Sequence, residues 1–204
     1  MQKISAFFRR LYSFFSVPAH FTRLIISLFI FSAFICFLFT LVTISPNPDN
    51  LVGSFLQGRF KGIKMNGIQL ILAPFSDKTI HEFIDIGPLP CNPYIVIAAF
   101  CGLVSVVLLW LGVKHRRCNL FSGLLSLVSA VAMIFFRPRF APFYSTHTKN
   151  GGDLVQHYYD SGFFDIIVTP ALVLSAIFFF FAFMATIMLG EMLARPFSYS
   201  ELQD

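Results

Sequence analysis

His81, Glu82 and Asp85 form the best grouping of metal-ligating residue types in this 204-residue chain. A zinc site needs four converging ligands, and neither a cysteine nor a second histidine lies nearby, so the segment reads as a solvated charged stretch. His147 and His157, on either side of Gly151-Gly152, offer less still. The sequence holds no glycine-rich phosphate loop, no Gly-x-Ser-x-Gly elbow and no Cys-x-x-Cys pair. The expectation is a non-enzymatic protein with no catalytic residues, no cofactor and no metal.

Modification and recognition are better served. Cys118 follows Lys114, His115, Arg116 and Arg117, and a thiol beside basic residues at a membrane boundary suits S-acylation. Tyr199-Ser200-Glu201-Leu202 matches the tyrosine-based sorting signal that clathrin adaptors read, with Tyr199 and Leu202 as its anchors. Tyr144, Tyr158, Tyr159 and Phe163 crowd the approach to the last apolar run, as interfacial anchors or as a partner-contact patch.

Four apolar runs must position these residues: 24–44, 94–113, 120–136 and 166–190, which together contain no Asp, Glu, Lys, Arg or His. A helix rises about 1.5 Å per residue, so about 20 residues cross a hydrocarbon core of roughly 30 Å. Composition agrees, with 56% hydrophobic residues, 12% charged residues and 28 Phe, far from the usual soluble balance. The expected fold is an all-α membrane protein, a four-helix transmembrane bundle with a small extracellular β-hairpin. Its parts are a basic or amphipathic tail (1–23), a membrane domain (24–190) with outer loops 45–93 and 137–165, and a C-terminal tail (191–204). The first run exceeds a signal-peptide core and lacks a small-x-small cleavage pattern, so it reads as a retained anchor. The preceding segment from Ile4 to Phe15 suits either a helix in the headgroup layer or a disordered basic tail.

Basic residues near the span ends set sidedness. With both termini inside, the inner side carries eight Lys or Arg in short segments, and seven of the ten acids fall in the two outer loops. Both termini are therefore expected in the cytoplasm, in the plasma membrane or endosomal system. The net charge of +5 then faces anionic lipid headgroups and not nucleic acid. The connector from Lys114 to Asn119 is short enough to make spans two and three antiparallel neighbours.

Helices associate in lipid through small residues and polar contacts. Ala98, Gly102 and Ser105 of span two are expected to meet Ser122, Ser126 and Ala130 of span three, while Ser32, Cys36 and Thr40 line span one and its Phe residues face lipid. In the first outer loop, Asn66-Gly67 is a type I′ hairpin signal between apolar segments 59–65 and 68–72. Of the four cysteines only Cys91 lies outside, so no disulfide framework is expected.

Four spans with both ends inside, a larger first outer loop carrying a hairpin, a tight inner turn and a smaller aromatic second outer loop resemble the claudin, peripheral myelin protein and clarin group. The chain departs from the claudin pattern in that its first outer loop has no Trp and no Cys pair, and its single Trp, Trp110, lies in span two. The resemblance implies a left-handed bundle with a small outer sheet, acting by lateral association. The leading expectation is a tetraspan protein that organises lateral or cell–cell contacts, or assists the traffic of a partner membrane protein. Its partners are the bilayer and other membrane proteins, or a second copy of itself. The alternative is a small transporter or channel, or its accessory subunit, using hydroxyls or carbonyls along a path between subunits.

Overall fold

A computed structural model describes residues 17–51, 63–72, 91–113, 115–147, 162 and 164–194. The order is α1 (Pro18–Cys36), β1 (Thr40–Pro46), β2 (Ile63–Asn66), α2 (Gly67–Leu72), α3 (Pro93–Leu111), α4 (Arg116–His147), β3 (Phe164–Val168) and α5 (Pro170–Ala194). Helices α1, α3, α4 and α5 are long and apolar enough to cross a membrane, and the chain is a multi-pass membrane protein. A three-stranded antiparallel sheet accompanies them, in the order β2-β1-β3. The expected fold class, a four-helix bundle with a small antiparallel hairpin, holds.

The boundaries hold less well. Residues 24–44 do not form one span: α1 ends at Cys36, and Thr40–Pro46 is the central strand of the sheet. Three i→i−3 backbone bonds, from Phe37, Leu38 and Phe39, tighten the chain as it leaves the helix. Beyond them Thr40, Val42, Thr43 and Ile44 are β-branched, and such side chains lose χ1 freedom in a helix and pack well on a pleated surface. Likewise 166–168 belong to β3, and Pro170 opens α5, because proline's fixed φ and missing N–H suit a first helical position. The third span runs longer than 120–136, within a 32-residue α4.

Asn66-Gly67 does not form the expected two-residue turn. Gly162 is the one described residue with positive φ, so the type I′ geometry is absent here. Instead, the Asn66 N–H donates to Gln69 Oε1 (2.9 Å) and the Gln69 N–H donates to Asn66 Oδ1 (2.8 Å). This reciprocal box caps α2, so residues 67–72 are helical where a strand was expected, and β2 pairs with β1.

Backbone pairing sets the direction of every helix. Ile44 lies opposite Ile166 in the sheet, so the end of α1 and the start of α5 share one end of the bundle. The Thr169 N–H donates to the Leu41 carbonyl (3.1 Å) and its hydroxyl donates to the Thr40 carbonyl, tying the first turn of α5 to β1. At the same end the Asn92 N–H donates to the Leu70 carbonyl (2.8 Å), while Asn92 Oδ1 accepts from Tyr94 N–H (3.1 Å) and caps α3. The α3–α4 turn, the start of α1 and the end of α5 gather at the opposite, hairpin end. Helix α1 packs on α5, α5 on α4 and α4 on α3; the α1–α3 seam that completes the ring is thinner.

Phenylalanines fill the centre, against the expectation that those of span one face lipid. Phe34, Phe37 and Phe179 form a triangle of edge-on contacts at 5.7, 5.9 and 6.4 Å between ring centroids, and Phe29 packs on Phe178 and Phe181. Phe21 and Phe31 do face outward. The inward stripe of α1 is Ile26, Ile30, Ala33 and Cys36; Ser32 is only half-buried, and Thr40 has left the helix.

Gly67 lets the sheet end close on this aromatic cluster, since its N–H donates to the Phe37 carbonyl (2.8 Å). A Cβ there would stand 2.6 Å from Phe37 Cβ and 3.0 Å from its Cα. Gly67→Val is expected to cost about 1–3 kcal/mol through forced backbone shifts. A lower unfolding midpoint of the detergent-purified protein checks it.

Candidate functional site

Between α3 and α4 lies a row of buried hydroxyls. The Ser105 hydroxyl donates to the Ser122 carbonyl (2.8 Å) and the Ser122 hydroxyl donates back to the Ser105 carbonyl (2.8 Å). A hydroxyl has one proton, so with Ser105 committed it is Ser126 that donates across 2.8 Å to Ser105 Oγ. One turn on, the Ser129 hydroxyl reaches the Ala98 carbonyl (3.0 Å). Ser105, Ser122, Ser126 and Ser129 are fully buried. The faces expected from small-residue spacing therefore meet, joined by hydrogen bonds as well as by close packing. Gly102 sits on the same helix against the aromatic triangle; a Cβ there would lie 2.8 Å from the Phe179 ring and 3.0 Å from Phe34.

At the hairpin end, the carbonyl of Gly112 gathers three helices. It accepts from Arg23 Nη2 of α1 (3.2 Å) and from Asn119 Nδ2 of α4 (3.4 Å), while the Gly112 N–H donates to the Leu108 carbonyl (2.8 Å) to finish α3. A cation at a helix C-terminus meets the negative end of the helix dipole and its unpaired carbonyls. No side chain fits at Gly112, because a Cβ would fall 1.8 Å from Asn119 Oδ1. Higher in the thin α1–α3 seam, the indole N–H of Trp110 donates to Ser27 Oγ (3.2 Å).

Arg23 is where the structure departs most from the electrically silent interior expected. Starting at Pro18, α1 takes in His20 and Arg23, and the guanidinium is buried, with Arg23 3% exposed. Charge counting places Arg23 on the flank, since an arginine ends an apolar window. The contrary signal in the sequence is Pro18, a helix start that comes before the charge and not after it.

Other expected site residues divide by location. Cys118 is half-buried in the first turn of α4, its N–H donating to the His115 carbonyl (2.9 Å), with His115 and Arg117 exposed beside it. It is a free thiol, as are Cys36, Cys91 and Cys101. Tyr144 belongs to the last turns of α4, within Arg116–His147. Tyr158, Tyr159, Phe163, Tyr199 and Leu202 lie outside the described residues, as do His81, Glu82, Asp85 and the N-terminal tail. Among the described residues no group of three or more His, Cys, Asp or Glu can hold a metal ion.

No protein-family model matches the chain, and no curated protein matches it either. The arrangement speaks through its chemistry alone: hydroxyls turned on carbonyls between helices, and one buried guanidinium at a bundle end.

Ser105→Ala removes one donor and the acceptor for Ser126, with an expected loss of about 0.5–2 kcal/mol, as for other interhelical hydrogen bonds in membranes. Gly102→Leu pushes into two rings and is expected to cost more. Reversible unfolding of both variants in mixed micelles orders them.

Proposed function

We propose that this multi-pass membrane protein is non-enzymatic and works by association: it organises lateral or cell–cell contacts, or accompanies a partner membrane protein through traffic. The observation that carries the reading is the closed hydroxyl row. A polar path through lipid needs groups free to replace a solute's hydration, and the serines between α3 and α4 have spent their donors on one another and on neighbouring carbonyls. Outward, the spans present large apolar side chains such as Leu28, Phe31, Phe100 and Leu103. Apolar faces of this kind pack against other helices as readily as against lipid chains.

Sidedness follows the density of basic residues, with the hairpin end and both tails in the cytoplasm of a plasma-membrane or endosomal protein. The tail tetrapeptide Tyr199 to Leu202 then meets clathrin adaptors, and Cys118 is the thiol for acylation. Tyr144, in the last turns of α4, and Tyr158, Tyr159 and Phe163 supply partner contact on the far side. Lateral association is also what resemblance to the claudin, peripheral myelin protein and clarin group implies.

Purification in mild detergent is expected to bring down stoichiometric membrane-protein partners or a homo-oligomer, with no solute or ion flux from the chain reconstituted alone. Flux above empty liposomes would favour the transporter or channel alternative and overturn this reading. Tags on both termini are expected to be accessible only after the plasma membrane is permeabilised.

A further inference from the structure

The guanidinium of Arg23 carries five N–H groups, and the described structure engages few of them. Nη2 donates to the Gly112 carbonyl at 3.2 Å, Nη1 meets His20 Nδ1 at 3.5 Å, and Nε is buried without an acceptor among the described residues. The described carboxylates do not ion-pair with it. Asp49 follows β1 and Asp165 belongs to β3, both at the sheet end, and Glu191 is exposed on α5. A buried cation without a counter-charge is costly, and one helix-end carbonyl repays part of that cost.

Position points to a partner that the described residues do not supply. Arg23 lies in the second turn of α1, and His20 is one turn nearer the membrane surface on the same helix face. Exposed His115 and Arg117 mark that surface on the adjoining α3–α4 connection and the start of α4. Lipid phosphate is the abundant anionic acceptor at this depth, and the planar guanidinium fork matches its oxygens.

We propose that Arg23, with His20 as its cover and the Gly112 turn as its floor, binds the phosphate oxyanion of a net anionic lipid headgroup, one with no ammonium to neutralise it, in the leaflet at the hairpin end. Arginine only donates, so His20 Nδ1 is the acceptor in the 3.5 Å contact, which stands at the outer limit of hydrogen bonding. A phosphate oxygen replaces that neutral acceptor with a charged one, and the half-buried imidazole turns aside to admit it. Arg23 then keeps its bond to Gly112, so the lipid reinforces the junction of α1, α3 and α4. The inference needs the bilayer but is independent of the association role above.

The test uses the full-length chain in mild detergent, titrated with phosphatidylglycerol, phosphatidylcholine or inorganic phosphate, with bound lipid counted by native mass spectrometry and stability followed by thermal unfolding. The wild type is expected to retain phosphatidylglycerol about tenfold better than phosphatidylcholine, as one or two charge-assisted hydrogen bonds allow. In Arg23→Gln the preference is expected to fall to about twofold or less, whereas Arg117→Gln, which alters an exposed charge, keeps most of it. Equal losses in the two variants would mean diffuse surface attraction and overturn the proposal. Stabilisation by inorganic phosphate alone, equal to that by lipid and dependent on Arg23, would support the oxyanion chemistry and overturn the lipid as its source. If Arg23→Gln does not fold, the wild type still decides, because no preference for phosphatidylglycerol there sinks the site.

Discussion

Backbone pairing of a single strand organises this molecule. β1 leaves α1 after a three-residue turn and hydrogen-bonds on both edges, to β2 on one side and to β3 on the other. Because β3 leads directly into α5, the β1–β3 ladder lays the first and last membrane helices side by side and antiparallel. Because β2 leads through α2 to the Leu70 carbonyl that holds Asn92, the same strand also fixes where α3 begins. Peptide groups have no water partners inside a bilayer, so this network sits at the end of the bundle while the spans remain helical.

Two kinds of contact complete the bundle from there. Serine hydroxyls on α4 reach carbonyls of α3, and that pair needs no large side chain between its backbones. The other half of the interior is aromatic, with rings from α1 and α5 meeting over Gly102. A glycine at that point is the condition for the second, since a Cβ there would meet the Phe179 and Phe34 rings. The α1–α3 seam has less packing and relies on directed polar bonds, from Trp110 to Ser27 and from Arg23 to Gly112.

Much of this architecture is legible in residue order alone. Uncharged runs of membrane length locate all four spans, and the i,i+3 and i,i+4 spacing of Ala98, Gly102, Ser105 and of Ser122, Ser126, Ala130 picks out the two faces that meet. Apolar runs do not mark where a helix gives way to a strand, so run length alone absorbs residues 40–44 of β1 and 166–168 of β3 into spans. Their β-branched residues carry the opposing signal. Asn66-Gly67 has two meanings, because asparagine opens tight turns and also caps helices; Gln69, three residues on, is the clue to the second. Arg23 escapes a reading that treats every charge as a boundary, and its partner, a main-chain carbonyl 89 residues away, leaves no mark on residue identity. The inward Phe residues of α1 are equally hidden, since lipid and protein interior are alike to an aromatic ring.

The central strand also imposes an order on assembly. Chains are made from the N-terminus, and β1 and α1 find their main partners, β3 and α5, well after them in synthesis. The α3–α4 pair, joined by a four-residue connection and fastened by its own serines, has all its contacts within one continuous stretch and is free to form beforehand. Until translation passes Ala194, α1 stands in the bilayer without its full permanent neighbour, and the partly made protein offers an open flank where the finished one has a closed ring.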